Sequence, residues 1–477
     1  MKGGVPMALL ELLTGPAFLL FLAGAGIFFT VRLKGIQFFH FFQVWKETLG
    51  KAWKTKQRKA GTISPFQATA TALAGTLGTG NIAGIATAIA GGGPGAVFWM
   101  WLSSLFSMAL KYAEILLAVK FRTVNQSGEQ VGGPMYYMEK GLGCRWMALW
   151  FAAMCVLASF GIGNMAQANA AAQSLKEAFA LPAWAAGVIL AAAVGLALFG
   201  GIRRIAGWTE RIVPIMAVFY IGAALWVLCA HIDRIPAAMH MIWESAFHFN
   251  AASGGVLGFI VSRSVRYGVS RGVFSNEAGM GSAPIVHGAA QTDSPARQGM
   301  WGILEVFLDT TIMCTMTALV ILTSGVSVSD ADGAALTLSA FESVMGGGAA
   351  VFLAVSVVFF AAASIMGWSY CGEKALEYLT PSKKVRVCYK VLYLAAILLG
   401  AVGTVEAVWL VSDLLNLSMA IPNVTAVLLL SPIVVRESKE YCGPVRKFHS
   451  KNCAKNQISK KYGEKGRNSP ICKDIKR

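Results

Sequence analysis

The chain has 477 residues, of which 56% are hydrophobic and only 14% are charged, and its formal net charge is +17. A soluble protein would carry about a quarter charged residues, so this composition excludes an ordinary soluble globular protein. The basic residues lie in short segments between apolar runs and in the C-terminal tail, which indicates membrane orientation and contact with anionic lipid rather than nucleic-acid binding.

The N-terminal part of the chain is predicted to hold one membrane span. Thr14 to Val31 is an apolar run of the length that crosses a bilayer as a helix. The connection that follows is rich in lysine and arginine, which predicts a cytoplasmic loop and an N-terminus outside the cell.

The second span, Pro65 to Ile89, is predicted to be broken at its centre. Four glycines lie within ten residues there, and each interior glycine costs roughly 0.5–1 kcal/mol relative to alanine. Unwound backbone at this depth offers amide groups to a carboxylate and carbonyl oxygens to Na⁺. A glycine-rich packing face for a neighbouring helix is the alternative. The residues at this centre are Gly75, Thr76, Gly78, Thr79, Gly80, Asn81 and Gly84.

Nine further apolar segments bring the predicted number of spans to eleven. Residues 128–143 between two of them read as an interfacial helix or loop, and residues 237–249 as an amphipathic segment at the outer surface. The basic tail lacks apolar periodicity and is predicted to be cytoplasmic and mostly disordered. The nine segments are residues 96–119, 146–175, 182–199, 212–230, 258–290, 300–323, 349–376, 391–408 and 410–434.

The segment 258–290 is predicted to be a second broken helix. Its centre reads GVFSNEAGMGSAP, and its Asn276-Glu277-Ala278-Gly279 repeats the N-x-A-G pattern that begins at Asn81 in the first break. Arg263, Arg266 and Arg271 fall in its outer half, where we expect them to line an aqueous vestibule or cap an outer gate.

The ten spans after the first divide into two groups of five, and each group opens on a broken helix. Because five is odd, the two groups must have opposite orientations, as in the inverted repeats of sodium-coupled symporters. The fold class is therefore an all-α polytopic membrane protein with a 5+5 inverted repeat. The predicted divisions are an N-terminal helix with its basic connection (1–60), a first repeat (61–232), an external segment with the second repeat (233–436) and a tail (437–477).

Two later spans carry candidate ligands on one helical face. Phe160, Asn164 and Gln167 recur at i, i+4 and i+7 in the fourth of the eleven predicted spans, and two amides with an aromatic ring suit a small zwitterion. Hydrogen bonding between packed spans is the alternative for the amides. In the ninth span Ser364 is placed to complete a Na⁺ shell and Trp368 to cover the substrate. An interfacial position is the alternative for the tryptophan.

Three acidic residues lie within predicted spans, where charge is expensive and therefore a functional candidate. Glu277 lies in the second break, where it is the candidate proton carrier. Glu305 and Asp309 are four residues apart, and we expect them to pair with an arginine or to share a proton. His287 is interpreted as a helix-end residue.

The segment FSNEAGMGSAPIVHGAA, Phe274 to Ala290, resembles the signature of the alanine or glycine:cation symporter family. Two further segments, GTLGTGNIAGIATAIAGGGPGAVFWMW and GGPMYYMEKGLG, also resemble blocks of that family, and the resemblance extends from about residue 10 to residue 437. It implies a leucine-transporter-like fold and Na⁺-driven uptake of alanine and glycine. The family commonly has leucine where this chain has Met280.

The resemblance also implies a set of binding residues. The first break at Thr76, Gly80 and Asn81 would receive the substrate carboxylate and Na⁺. The substrate would meet Phe160 and Gln167 from one span, Ser364 and Trp368 from another, and the backbone around Gly279 from the second break. The residues themselves predict the Na⁺ site, because carbonyls freed near Thr76 and Thr79 form a neutral oxygen cage with the Ser364 hydroxyl.

Other classes of function lack the residues they need. A membrane enzyme would need a nucleophile–base pair or a metal cluster, and the chain has no HExxH or GxSxG motif. A channel would need a continuous polar lining, whereas the polar groups concentrate at mid-membrane. We therefore predict a symporter of the plasma membrane with no catalytic residue and no cofactor apart from Na⁺ as coupling ion. The expected partners are a small neutral amino acid, Na⁺ and membrane lipid. The protein itself is expected to be a monomer. Proton coupling through Glu277 stays open as the alternative.

Overall fold

The apolar runs form helices, because only a helix satisfies its own backbone hydrogen bonds inside a bilayer. The computed structural model describes residues 15–52, 61–247, 263–327, 333–403 and 405–442. The start of the first predicted span, the first residues of the segment 258–290 and the tail after residue 442 lie outside these ranges.

Thirteen described helices precede residue 248, together with two π-turns. A small antiparallel hairpin of β1 (Thr123–Val124) and β2 (Gln130–Val131) is an addition to the all-α prediction. The π-turns are π1 (Gly80–Gly84) and π2 (Gly161–Met165). The helices are α1 (Pro16–Arg32), α2 (Ile36–Phe39), α3 (Phe41–Glu47), α4 (Leu49–Ala52), α5 (Pro65–Thr76), α6 (Ile85–Gly92), α7 (Ala96–Lys120), α8 (Pro134–Leu142), α9 (Arg145–Phe160), α10 (Ala166–Phe179), α11 (Ala183–Leu198), α12 (Gly201–Ala230) and α13 (Ile235–Phe247).

Nine described helices and a third π-turn, π3 (Phe307–Cys314), follow residue 262. The helices are α14 (Arg263–Asn276), α15 (Ser282–Gly288), α16 (Pro295–Val306), α17 (Thr315–Ser324), α18 (Gly333–Met345), α19 (Gly348–Leu379), α20 (Lys383–Val402), α21 (Val405–Leu429) and α22 (Ser431–Cys442).

The chain is a multi-pass helical membrane protein. Within the described residues, six continuous helical runs are long and apolar enough to cross a membrane, and two bent helix pairs raise the number to eight. The six are Ala96–Lys120, Arg145–Phe179, Gly201–Ala230, Pro295–Ser324, Gly348–Leu379 and Lys383–Val402.

Both predicted breaks are present. α5 starts at Pro65 behind a capping box of Ser64 and Gln67 and ends at Thr76, and the two halves of the first broken helix meet at 54°. In the second broken helix, α14 and α15 are separated by residues 277–281, where Glu277 has φ +52° and Gly279 has φ +87°.

The C-terminal end differs from the prediction. The last predicted span bends by 60° after Leu429, and α22 continues to Cys442, beyond the predicted start of a disordered tail. α22 is held by packing: Ser438 shares a hydrogen bond with Tyr112 at 2.9 Å, and Tyr441 donates to Glu47 at 2.9 Å. These contacts join distant parts of the chain, so no local pattern predicts them.

Candidate functional site

At the first break, Gly78 lies in a corner formed with Gln167 of α10 and Ser364 of α19. A Cβ atom on Gly78 would lie 3.2 Å from Ser364 Oγ and 3.3 Å from Gln167 Oε1, so only a glycine lets the backbone approach these two side chains so closely. Gln167 Nε2 donates to the Ile162 carbonyl at 3.3 Å, whereas its buried Oε1 has no partner among the described residues. The corner therefore presents an unused hydrogen-bond acceptor.

Ser364 brings a second set of oxygens to the same corner. Its hydroxyl donates to the Ala74 carbonyl at 2.8 Å and lies 3.5 Å from the Leu77 carbonyl. The neighbouring Thr76 hydroxyl donates to the Leu73 carbonyl at 3.3 Å. Because the C-terminal end of a helix carries partial negative charge, carbonyls and a hydroxyl gathered there suit a monovalent cation.

Thr79, the third predicted cation ligand, is buried directly before π1. In the described parts of the chain no hydrogen bond joins it to Ser364. The structure therefore brings Thr76 and Ser364 to the end of α5 and leaves Thr79 at the start of the next half-helix.

Trp368 connects the two broken helices. Its buried side chain lies beside Gly163, where a Cβ would come within 2.3 Å of Trp368 Cβ, and a Cβ on Gly75 would lie 3.7 Å from the indole. Its indole Nε1 donates to Glu277 Oε1 at 3.3 Å. The predicted cover of the substrate thus lies against the first break and bonds to the second.

Asn81 is fully engaged by protein groups rather than open to a ligand. Its Oδ1 accepts from the Gly78 amide at 3.0 Å, and its Nδ2 donates to Asp309 Oδ1 at 2.8 Å and to Ser275 Oγ at 3.2 Å. Thr317 donates to its carbonyl at 2.8 Å. The adjacent Gly80 faces Ser275, with 3.8 Å between the position of a Cβ and Ser275 Cα.

Asp309 is a buried carboxylate whose described hydrogen-bond donors are neutral. They are Asn81 at 2.8 Å, Ser275 at 2.9 Å and Thr310 at 2.8 Å. The cluster joins both breaks to π3 and contains four side-chain oxygens besides the amide: the two of Asp309 and the hydroxyls of Ser275 and Thr310. It is a second place where a small cation would find oxygen ligands.

Phe160 and Asn164 point away from this corner. Phe160 packs on Tyr389 and Tyr393 at ring separations of 5.3 and 5.5 Å, and Asn164 Nδ2 donates to the Tyr393 carbonyl at 2.7 Å. The expectation that they share a face with Gln167 assumed a regular α-helix. Because π2 lies between Phe160 and Gln167, the helix widens there and the shared face is lost.

Gly279 is held by α7 and α21. Its amide donates to Glu114 Oε2 at 3.0 Å, and its carbonyl accepts from Asn423 Nδ2 at 2.8 Å. The Asn423 side chain also bonds to Glu114 and to the hydroxyl of Tyr137. The structure therefore places the Gly279 backbone in this network and not beside Gln167.

Two buried ionisable residues on α7, Lys111 and Glu114, were missed by the sequence analysis. Lys111 Nζ donates to the Asn276 carbonyl at 2.8 Å and lies 3.4 Å from Glu305, which also contacts His287 at 3.2 Å. The sequence predicts an arginine as the partner of Glu305, whereas the structure places Lys111 there. Glu305 and Asp309 do not pair, because π3 begins between them. In the sequence they could have been found as one lysine and one glutamate inside the apolar run 96–119.

Glu277 lines a cavity of about 10 Å³ with Thr71, Gly75 and Trp368. This is roughly the space that one water molecule needs. The carboxylate accepts from Ser282 Oγ at 2.5 Å, and the residue has a left-handed backbone that is costly outside glycine. The carboxylate of Glu277, which lies next to the first break on a strained backbone, is a candidate proton site.

Sequence comparison identifies close relatives over most of the chain. The sequence model of the sodium:alanine symporter family matches residues 6–455. The sodium/alanine symporter AgcS of Methanococcus maripaludis is 44% identical over 446 residues, 92% of this chain and 96% of that protein. The transporter YflA of Bacillus subtilis is 43% identical, covering 88% and 89%, and the probable sodium/glutamine symporter GlnT of the same organism is 40% identical, covering 90% and 89%.

Solved structures share the fold at low sequence identity. MhsT in complex with L-phenylalanine superposes with a TM-score of 0.54 and 13% identity, over 80% of this chain and 99% of that one. A manganese transporter of Eremococcus coleocola gives 0.50 and 14%, over 85% and 93%. These similarities confirm the leucine-transporter-like fold and carry no information on the substrate.

Proposed function

Because this chain belongs to the sodium:alanine symporter family, we propose that it is a secondary active transporter that carries alanine and glycine into the cell with Na⁺. The family consists of membrane transporters and not of enzymes. In an alternating-access cycle, the site at the first break would open to the outside to load and to the inside to release.

The unpartnered Gln167 Oε1 beside Gly78 is the observation that carries this proposal. A buried acceptor without a donor is costly, and the ammonium group of an amino acid supplies the missing donor. The substrate carboxylate would then face the amide groups of the first break, as the predicted roles of Thr76, Gly80 and Asn81 require. Asn81 would act by holding the break in shape, since its side chain is already bonded.

Na⁺ would bind where Ser364 meets the end of α5. The carbonyls of Ala74 and Leu77 and the hydroxyl of Ser364 supply neutral oxygen ligands there, and Thr76 lies next to them. The Asp309 cluster is a second candidate for an ion, because its described partners leave the carboxylate charge unbalanced.

Selectivity for alanine and glycine would come from Trp368. The Trp368 side chain lies against Gly163, and a Cβ on Gly75 would come within 3.7 Å of the indole, so the ring limits the volume beside the first break. One extra methylene in a tight pocket is worth ~1–3 kcal/mol, which is enough to disfavour leucine. One relative is named as a probable sodium/glutamine symporter, so membership of the family does not by itself decide which amino-acid side chain the substrate carries.

We also propose the predicted architecture of eleven spans with a 5+5 inverted repeat, residues 61–232 and 233–436. Each broken helix accepts a hydrogen bond from the span that follows the other broken helix. Thr317 donates to the Asn81 carbonyl and Lys111 to the Asn276 carbonyl, both at 2.8 Å. Such reciprocal contacts fit two halves related by a two-fold axis. The N-terminus would be outside, the tail cytoplasmic and the protein a monomer in the plasma membrane.

Uptake of labelled alanine into proteoliposomes tests the function. An inward Na⁺ gradient should drive accumulation, and replacing Na⁺ by choline should abolish it. Equal uptake in both buffers would rule out sodium coupling, and no alanine uptake in either, with uptake of another amino acid, would rule out the substrate.

Proton coupling through Glu277 is the second candidate. Its strained backbone and its position between Ser282 and Trp368 favour it. In this case a pH gradient without Na⁺ would drive uptake, and Glu277→Gln would uncouple it. An uptake rate that does not change with the pH gradient would exclude this mechanism.

A further inference from the structure

A cavity of about 240 Å³ lies between α1, α14 and α21, apart from the corner at Gln167. Its wall combines apolar side chains, among them Phe18, Leu22 and Met280, with Arg266, Arg271 and Asn416. A cavity of this size holds several non-hydrogen atoms of a ligand, so its polar groups indicate what it binds.

Asn416 is the first of these groups. It is 1% exposed, and neither its Oδ1 nor its Nδ2 has a hydrogen-bond partner in the described residues. Asn423, on the same helix, bonds to Glu114, Gly279 and Tyr137. A carboxamide left without partners inside a membrane protein is costly, so the Asn416 side chain needs a ligand that both donates and accepts.

The two arginines are the second group. Arg266 and Arg271 lie five residues apart on α14 with Tyr267 and Ser270 between them, and all four line the cavity. No ion pair joins either arginine to an acidic residue whose side chain the structure describes, which leaves out residues 404–413, and the guanidinium of Arg271 lies 5.8 Å from the ring centre of Phe274. Two guanidinium groups in the wall of one cavity favour a phosphate, which they bind through paired hydrogen bonds.

The apolar wall decides between a free anion and a lipid. α1 places Phe18 and Leu22 in the cavity, while Leu20 and Ile27 on the same helix are 52% and 44% exposed and would face the bilayer. Leu19 of the cavity wall is half-buried and Arg266 is exposed, so the cavity borders the protein surface beside the exposed face of α1. A free phosphate would gain nothing from the apolar wall.

We propose that this cavity is a binding site for the phosphate headgroup of an anionic phospholipid. Arg266 and Arg271 bind the phosphate, Asn416 bonds to the hydroxyl and ester oxygens of the headgroup, and the first acyl carbons pack on Phe18 and Leu22. Because Met280 of the second break forms part of the wall, the bound lipid fastens α1 to the second broken helix.

The test compares the full-length protein in nanodiscs of phosphatidylglycerol and of phosphatidylcholine, by native mass spectrometry of retained lipid and by thermal unfolding. Wild-type protein should retain phosphatidylglycerol selectively and unfold at a higher temperature with it. Arg271→Gln should bind it roughly tenfold more weakly, as expected for the loss of one charged hydrogen-bonding group. Asn416→Leu should lose the selective retention while remaining as stable as wild type in phosphatidylcholine.

Arg204→Gln is the matched control, because Arg204 is exposed and donates only to the Leu196 carbonyl among the described groups. It should leave retention unchanged. Retention equal to wild type in both Arg271→Gln and Asn416→Leu would overturn the proposal, and so would an equal loss in the control. Inorganic phosphate that raises the unfolding temperature as much as phosphatidylglycerol would make the ligand a free anion.

Discussion

Asn81 Nδ2 donates to Asp309 Oδ1 across 2.8 Å, and this bond joins the first broken helix to π3. Ser275 of the second broken helix donates to the same carboxylate at 2.9 Å. Three elements that are far apart in the chain therefore meet at one buried charge. Both broken helices therefore share one hydrogen-bond acceptor.

Asn81→Ala should weaken alanine binding by roughly 10–100-fold. The substitution removes a charged hydrogen bond worth ~1.5–3 kcal/mol and frees the Gly78 amide, so the break loses its shape. Isothermal titration of the purified protein measures the effect. Asn169→Ala is the control, because this buried asparagine bonds to the Gly400 and Gly403 carbonyls instead. Wild-type affinity in Asn81→Ala would contradict the assignment.

Trp368→Ala should extend transport to larger neutral amino acids. Removing the indole empties the space beside Gly163 and Gly75, so valine and leucine should compete with labelled alanine. Competition assays in proteoliposomes measure this, with Trp184→Ala as a control at a position that is 64% exposed. An unchanged profile across glycine, alanine, valine and leucine would place Trp368 outside the substrate pocket.

Ser364→Ala should raise the Na⁺ concentration for half-maximal uptake more than it raises the KM for alanine at saturating Na⁺. The hydroxyl adds one ligand to the Ala74 and Leu77 carbonyls, and its loss weakens the ion site directly. Ser356→Ala on the same helix is the control, because that hydroxyl bonds to its own helix at the Phe352 carbonyl. If the two constants rose equally, Ser364 would not be an ion ligand.

Lys111→Met should destabilise the protein by about 3–5 kcal/mol. The change leaves Glu305 without its lysine partner and the Asn276 carbonyl without its donor, and a buried charge that loses its counter-charge is strongly unfavourable. Thermal unfolding in detergent measures the loss. The control is Lys120→Met, whose ion pair with Glu437 is 37% exposed on the lysine side. Equal unfolding temperatures for Lys111→Met and wild type would refute the role of this lysine.

Glu129→Gln should remove part of the acid sensitivity of the fold. Burial raises the pKa of Glu129, but Lys374 at 2.6 Å and Asn125 outweigh this and hold the pKa below its usual 4.5. The pair therefore stabilises the protein above pH 4.5, and the contribution disappears as the pH falls through the lowered pKa. The variant should lose about 1 kcal/mol at pH 7 and less in acid. Unfolding temperatures from pH 3 to 7 that run parallel to wild type would contradict this.

The membrane class and both breaks followed from the sequence, because their causes are local. Apolar length defines a span whatever surrounds it. Glycines with threonine and asparagine weaken a helix at their own position, so the break after Thr76 and the break after Asn276 could be located without the fold.

The faces of the helices depended on tertiary structure. The spacing of Phe160, Asn164 and Gln167 predicts one face only in a regular α-helix, and π2 rotates the first two toward α20. Gly161, Gly163 and Asn164 weaken the helix at this point, but the pattern does not say that the helix widens into a π-turn, which depends on the neighbours that π2 contacts. The same reason separates Glu305 from Asp309.

The sequence alone determined that this protein lies in a membrane, contains two broken helices and belongs among cation-coupled carriers. Only the tertiary structure decided which polar groups are already bonded. Asn81 and Gly279 are satisfied by Asp309, Glu114 and Asn423 across more than a hundred residues of chain, while Gln167 keeps an acceptor free. Hydrogen-bond partners so distant in sequence leave no periodic trace, and therefore the Gln167 acceptor without a described partner became visible only in the folded chain.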